Sequence, residues 1–178
     1  MELLHFGLDL CAGWCAWSLG HNLGHRWWHD EMEQGKITFY AHGEREHHRL
    51  YDRPWESDFQ GAQDPKELFI SFPLFVVGPL ASLFAVLYGW LSGWPHAIPF
   101  AAAFYASMVL DHQLHILFHK KTRLPGVLAW FQQLHRVHHA THNKNYFFVT
   151  GLLWDVIFRS AVFEPREVEA LKHQAGVR

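Results

Sequence analysis

Histidine is the residue type in this chain whose number and spacing point most directly to chemistry. The 178 residues include 16 histidines, against 15 lysines and arginines together. Most of the histidines fall into four clusters, at residues 21–29, 42–48, 111–119 and 135–142. Within the clusters they recur at i and i+4 or i and i+3, which places two imidazoles on one helix face, within reach of one metal ion. The spacing therefore predicts a metal site.

The clusters supply more imidazoles than one ion can bind. The predicted ligands are His25, His29, His42, His47, His48, His115, His119, His135, His138 and His139. His21, His112 and His142 are additional candidates, and Asp111 can accept the second ring N–H of a ligating histidine. Because one ion takes roughly four to six ligands, ten imidazoles predict two ions. The clusters contain no cysteine, and imidazole suits Zn, Cu, Fe and Ni.

The elements that must position these clusters are helices, and several of them are strongly apolar. Leu68–Trp90 is a run of 23 residues without a charge or a histidine. As a helix it would be about 34 Å long, enough for a bilayer core of about 30 Å. A second apolar stretch leads into the third histidine cluster. We therefore expect a membrane hairpin of helices at 67–91 and 95–119. The apolar stretch Leu3–Leu23 contains His5 and Asp9, so it either forms a third span before residue 24, which we favour, or lies in the membrane interface.

The charges indicate an orientation for this membrane protein. All 15 lysines and arginines lie in 26–66 or 119–178. Under the positive-inside rule, these segments share the cytoplasmic face. The prediction is one domain, 1–178, with an all-α multi-pass membrane fold and a histidine-rich cytoplasmic cap formed by 26–66 and 120–178. A net charge of −2 offers no basic excess for nucleic acid.

The fourth cluster resembles the last histidine box of a known enzyme family. The pattern is His135-x-x-His138-His139-x-x-His142-x-Lys144, followed by Phe147, Thr150 and Leu153-Trp154-Asp155. It is similar to fatty acid 2-hydroxylases, within the fatty acid hydroxylase/sterol desaturase superfamily. Three other segments of this chain resemble the other boxes of that superfamily: Asp111…His115-x-x-x-His119, His25-Arg26-x-x-His29 and His42-Gly43…His47-His48. The resemblance covers most of residues 21–160.

The resemblance implies a non-haem di-iron enzyme. Its two iron ions, which Zn can replace in purified protein, would use O2 and electrons to hydroxylate an unactivated C–H bond of a fatty acyl chain. The substrate would be a lipid in the bilayer. We expect the electrons to come from an external donor, either a cytochrome b5-like protein or a ferredoxin with its reductase.

The second box departs from the family pattern. Four residues separate His42 from the His47-His48 pair, where the family usually has two. On a helix, His42 would face about 140° away from His47. Either Gly43 lets the chain leave helical geometry and His42 is a ligand, or His21, on the stripe of His25 and His29, takes its place. We favour His42, because the His-Gly pair before His-His is the part that resembles the family.

Two other classes of function stay open. Sterol desaturases and carotenoid hydroxylases use the same histidine boxes. A structural zinc-stapled membrane protein or a metal-handling protein would also need buried imidazoles. Transport is less favoured, because the 68–90 run carries no ionisable residue at the membrane midplane.

Overall fold

The fold is helical throughout the described part of the chain. The computed structural model describes residues 3–36, 38, 42, 45, 47, 48, 78–119, 123–141, 144, 145 and 151–163. Of these residues 84% are helical and none lies in a strand, which confirms the prediction of an all-α fold. The helices bounded within them are α1 (Leu3–Glu33), α2 (Gly78–Ser92), α3 (Trp94–Phe118), α4 (Gly126–Thr141) and α5 (Leu152–Ile157).

The N-terminal apolar stretch and the first histidine cluster form one continuous helix. Helix α1 has 31 residues, or about 46 Å at 1.5 Å per residue. It ends at Glu33, and Gly35, two residues later, has a φ of 68°, the left-handed conformation that follows many helix ends. The N–H groups of Gly35 and Lys36 donate to the carbonyls of Met32 and Glu31, which completes this C-cap. The helix thus extends past residue 24, where the sequence predicted its end, and carries the whole first cluster.

Helices α2 and α3 form a helical hairpin at the predicted place, with a tighter turn than the sequence indicated. Gly93 alone separates them, and its φ of 105° is readily available only to glycine. Its N–H donates to the carbonyl of Gly89, and its own carbonyl accepts from the N–H of His96. The first helix was predicted to start at 67. Residues 67–77 lie outside the described ranges, and the described helix begins at Gly78.

Contacts divide the chain into two compact units, and the first comprises Met1–Gly20 and Asp64–Gln113. Its core consists of Trp17, Ala81, Phe100, Phe104 and Met108. Two carboxylates are buried in it with partners. Asp9 accepts from the hydroxyl of Tyr88 at 2.8 Å and pairs with Nδ1 of His96 at 2.7 Å. Asp111 accepts from the indole N–H of Trp17 at 2.6 Å.

The surface of this first unit is rich in large apolar side chains. Trp90, Leu91 and Ile98 are each 75% exposed, and Leu83 is 53% exposed. Bonded carboxylates thus lie inside while leucine, isoleucine and tryptophan lie outside. Within the described ranges, no helix combines the length and the hydropathy that a membrane crossing requires.

The second unit comprises His21–Gln63 and Leu114–Arg178. Leu114 and Phe118 form its apolar cluster, packed against Leu117, Leu124, Leu128 and Phe131. Much of the remaining buried volume is imidazole. The buried histidines of this unit are His25, His29, His48, His119, His135, His138 and His139. The interior of the second unit is therefore built around the predicted ligands.

Candidate metal centre

Helical spacing brings the histidines onto common faces. His25 and His29 are one turn apart on α1, and His135 and His139 are one turn apart on α4. His115 and His119 have the same spacing at the end of α3, with His119 just past its last helical residue. Because side chains at i and i+4 lie one above the other, each helix presents a pair of imidazoles to the interior of the second unit.

Five of these residues form one group, called here the five-histidine group: His47, His115, His119, His135 and His139. Each offers one ring nitrogen, and these nitrogens all lie within 4.8 Å of one another. The Nε2 atoms of His135 and His119 are 3.0 Å apart, and those of His139 and His135 are 3.1 Å apart. The Nε2 atoms of His115 and His47 are 3.2 Å apart. The group can hold a metal ion.

His25, His29 and His138 form a second group, called here the three-histidine group. The Nε2 atom of His29 lies 3.2 Å from that of His25 and 3.2 Å from that of His138. All three side chains are buried. Their ring nitrogens also lie within 4.8 Å of one another, so this group can hold an ion too.

His48 lies beside members of both groups. Its ring centroid is 4.7 Å from that of His29, 5.1 Å from that of His138 and 4.5 Å from that of His139. These separations resemble those between rings within the groups, such as 4.8 Å for His29 and His138. His48 is therefore a neighbour of both groups, although its ring nitrogens belong to neither.

The nitrogen spacing is that of ligands sharing an ion. Two nitrogens bound to one ion at about 2.1 Å lie about 3.0 Å apart at a right angle and about 3.4 Å apart at the tetrahedral angle. The observed Nε2 separations of 3.0 to 3.2 Å fall in this interval. Each nitrogen of a neutral imidazole has either one proton or one lone pair, so it can make one good hydrogen bond. An Nε2 atom that faces two other Nε2 atoms is therefore better suited to a shared cation than to hydrogen bonds.

The electrostatics keep these ligands in the form that binds metal. Burial, together with the charge that neighbouring imidazoles would carry, holds the pKa of His135 and His139 well below the ordinary histidine value. Both are therefore neutral near pH 7, with a lone pair to donate. The two groups contain imidazole only, a donor set that fits Fe, Zn, Cu or Ni.

The structure does not bring His42 into either group. Its side chain is exposed, and residues 42, 45, 47 and 48 are helical. Gly43, where the chain was expected to leave helical geometry, lies outside the described residues. The preference for His42 over His21 as a ligand therefore stays a prediction.

The other additional candidates also lie apart from the groups. His21 stacks on His25 with 5.9 Å between ring centroids and 15° between planes, so it packs against a ligand without joining the group. His112 is half-buried on α3 and belongs to neither group. Asp111 accepts from Trp17 within the first unit. His142 lies outside the described residues.

A buried polar network contacts α1 at Asn22 and Arg26, next to the candidate ligands His25 and His29. Asp155 accepts from Nη2 of Arg26 at 3.1 Å, from the hydroxyl of Ser160 at 2.6 Å and from the amide of Asn22 at 3.5 Å. Arg26 also donates through Nε to Asn22 at 2.7 Å, and its guanidinium lies over the ring of Phe158. Sequence reasoning gave Asp155 no role of its own, because pairing across 129 positions leaves no local signal.

A cavity of about 550 Å³ runs along the other side of α4. It is lined by Arg123, Gly126, Ala129, Trp130, Gln132, Gln133 and Arg136. Helical geometry places most of these residues about half a turn from the face that carries His135, His138 and His139. The cavity lining thus contains none of the ligand candidates, and the cavity is separate from the metal centre.

Comparison of the chain with protein-family models, curated proteins and solved structures gave no match. The resemblance to histidine-box enzymes therefore depends on the residues quoted above.

Proposed function

We propose that this chain is a membrane-bound non-haem di-iron oxygenase that uses O2 to hydroxylate an unactivated C–H bond of a fatty acyl chain. The observation that carries the proposal is the convergence of eight histidines from separate helical segments into a group of five and a group of three. The two groups are neighbours, since the ring centroids of His138 and His139 are 5.6 Å apart. Two ions held side by side are what the proposed chemistry needs.

The unequal numbers of histidines in the two groups support different roles for the two ions. Five imidazoles fill most of the roughly six positions around one iron ion, whereas three or four leave positions for exogenous ligands. When bound, the iron ions supply the O2 chemistry. The protein's own contribution is to hold neutral imidazoles in fixed directions and to keep water from them, which the burial of His29 and His119 supports.

The membrane part of the proposal is supported by the first unit. Its exposed leucine, isoleucine and tryptophan side chains would contact acyl chains, while Asp9 and Asp111 are buried and bonded inside. Polar groups inside and apolar groups outside are the arrangement that a bilayer favours. The positions of lysine and arginine support a cytoplasmic location for the histidine-rich face.

The test combines metal content with product analysis. Protein purified without oxygen is analysed for iron and zinc, then supplied with ¹⁸O2, a reductase system and candidate lipids. We expect two iron ions per chain and one ¹⁸O atom in a hydroxylated acyl product. His119→Ala should abolish the product, whereas His5→Ala, in the first unit, should retain it. Iron-loaded protein that oxidises no acyl lipid, sterol or carotenoid would contradict the proposal.

The same experiment separates the alternatives. A desaturase would yield a product with two fewer hydrogens and no ¹⁸O, and a carotenoid hydroxylase would label a carotenoid instead of an acyl lipid. A zinc-stapled structural protein would retain zinc, reject iron and unfold when the zinc is removed. A metal-handling protein would exchange its ions readily with a chelator.

A further inference from the structure

The second ring nitrogen of His138 faces a main-chain carbonyl. Nδ1 of His138 lies 3.0 Å from the carbonyl oxygen of Lys144. A carbonyl can only accept, so the proton of the neutral ring is on Nδ1 and the lone pair is on Nε2. Nε2 is the atom that faces His29 in the three-histidine group. The Lys144 carbonyl therefore selects the tautomer that a metal ligand requires.

Asn145 fixes the segment that supplies this carbonyl. It is 1% exposed and has a φ of 47°, a conformation that asparagine tolerates better than most residues. Its backbone N–H donates to the carbonyl of Ser160 at 3.0 Å. Its side-chain amide donates to the carbonyls of Leu134 and Val162, at 3.3 and 3.4 Å, and its Oδ1 accepts from the N–H of Val162 at 2.8 Å.

These bonds require an amide, because the side chain both donates and accepts. The N–H of Val162 needs an acceptor, and the carbonyls of Leu134 and Val162 need donors, so the amide has one consistent orientation. Leu134 lies one helical turn before His138 on α4. Asn145 thus connects the helix that carries the ligand to the segment that carries its carbonyl partner.

We infer that Asn145 is a positioning residue for the metal centre. By anchoring residues 144–145 to α4, it holds the Lys144 carbonyl against Nδ1 of His138. The ring of His138 then directs Nε2 at the ion of the three-histidine group. The inference deepens the proposed function and rests on it for the identity of the ions. The contacts of Asn145 with Leu134, Ser160 and Val162 are all made within this chain.

The test uses Asn145→Asp, which keeps the shape and the φ preference but places a carboxylate oxygen against two carbonyls. In metal-free protein with ¹⁵N-labelled histidine, long-range ¹H–¹⁵N spectra report which nitrogen of His138 carries the proton. The resonance is assigned by its loss in His138→Gln. We expect the Nδ1–H form in the wild type and a mixture in Asn145→Asp. The affinity for the second equivalent of Zn²⁺ should fall about 10- to 100-fold, with the first equivalent within about threefold.

Two controls separate positioning from loss of stability. Lys144→Gln keeps the carbonyl and should leave the tautomer and both affinities unchanged. Val137→Ala opens a cavity beside His138 without removing a hydrogen bond, so it should lower stability while keeping the Nδ1–H form. An unchanged tautomer and Zn²⁺ affinity in Asn145→Asp would overturn the inference and leave the proposed function standing. Wild-type protein that binds two ions but oxidises no lipid would remove the proposed function and leave the inference standing.

Discussion

Replacing His25 by alanine removes one of three imidazoles from the smaller group, and we expect the protein then to hold one equivalent of metal instead of two. The five-histidine group does not include His25, so its own ion should stay bound. His42→Ala removes an exposed side chain, and His21→Ala removes a ring that stacks on His25 outside the group. Both control variants should hold two equivalents.

The size of the effect follows from the number of ligands. A structural zinc site of four ligands contributes about 10–16 kcal/mol, or about 2.5–4 kcal/mol per ligand. At about 1.4 kcal/mol per tenfold change, the loss of one ligand weakens binding about 60- to 700-fold. In the three-histidine group only His29 and His138 would remain, with His48 nearby, so the second equivalent should be lost at micromolar metal.

The assay is competition with a chromophoric chelator under anaerobic conditions, with the bound metal counted by mass spectrometry and folding checked by circular dichroism. A His25→Ala protein that kept two tightly bound ions would refute the assignment of the three-histidine group. A His42→Ala protein that lost metal would show that His42 is a ligand, as the sequence indicated.

Three further predictions concern the scaffold. Metal-free protein should lose thermal stability as the pH falls below about 6.5, because His135 and His139 have a lowered pKa in the folded protein and the unfolded chain takes up protons there that the folded one does not. A melting temperature unchanged between about pH 7 and 5 would contradict this. Asp155→Ala should lower the free energy of unfolding by about 2–3 kcal/mol, because Arg26 loses its carboxylate partner. Asp155→Asn should lower it by less. Denaturant titration measures both losses, and equal losses would exclude a role for the charge. Gly13→Ala should destabilise the protein by about 1–3 kcal/mol, because the new Cβ would overlap the carbonyl of Phe100. Gly7→Ala is the control and should not destabilise it, since no atom lies within 4 Å of its new Cβ. A lower melting temperature for Gly7→Ala than for Gly13→Ala would refute the close contact.

The parts of the metal centre that the sequence predicted are those governed by local spacing. His25 and His29, like His135 and His139, are four residues apart, and a helix alone makes such pairs converge. The apolar runs likewise predicted helices. His42 shows the limit of this reasoning: the resemblance to a histidine box favoured it as a ligand, but its side chain is exposed and belongs to neither group.

The parts that the sequence could not predict depend on main-chain atoms or on distant partners. The carbonyl of Lys144 is present whatever side chain occupies that position, so no residue type marks it as the partner of His138. Asp111, one turn before His115, was a candidate to support a ligating histidine, and the contact that the sequence did not indicate is the bond it accepts from Trp17, 94 positions away. Tertiary contacts of this kind are decided by packing and leave no periodic signal.

The two units differ in what fills their interiors, and this difference bears on the role of metal. The first unit buries aromatic and aliphatic side chains such as Phe100, Phe104 and Met108, whose burial stabilises it without any ligand. The second unit instead packs imidazoles against one another at Nε2 separations near 3 Å. A cluster of neutral ring nitrogens contributes little by itself, because each has lost water and must share its few protons with neighbours. An ion that accepted several of these lone pairs at once would offset that cost, so we expect bound metal to raise the stability of the second unit.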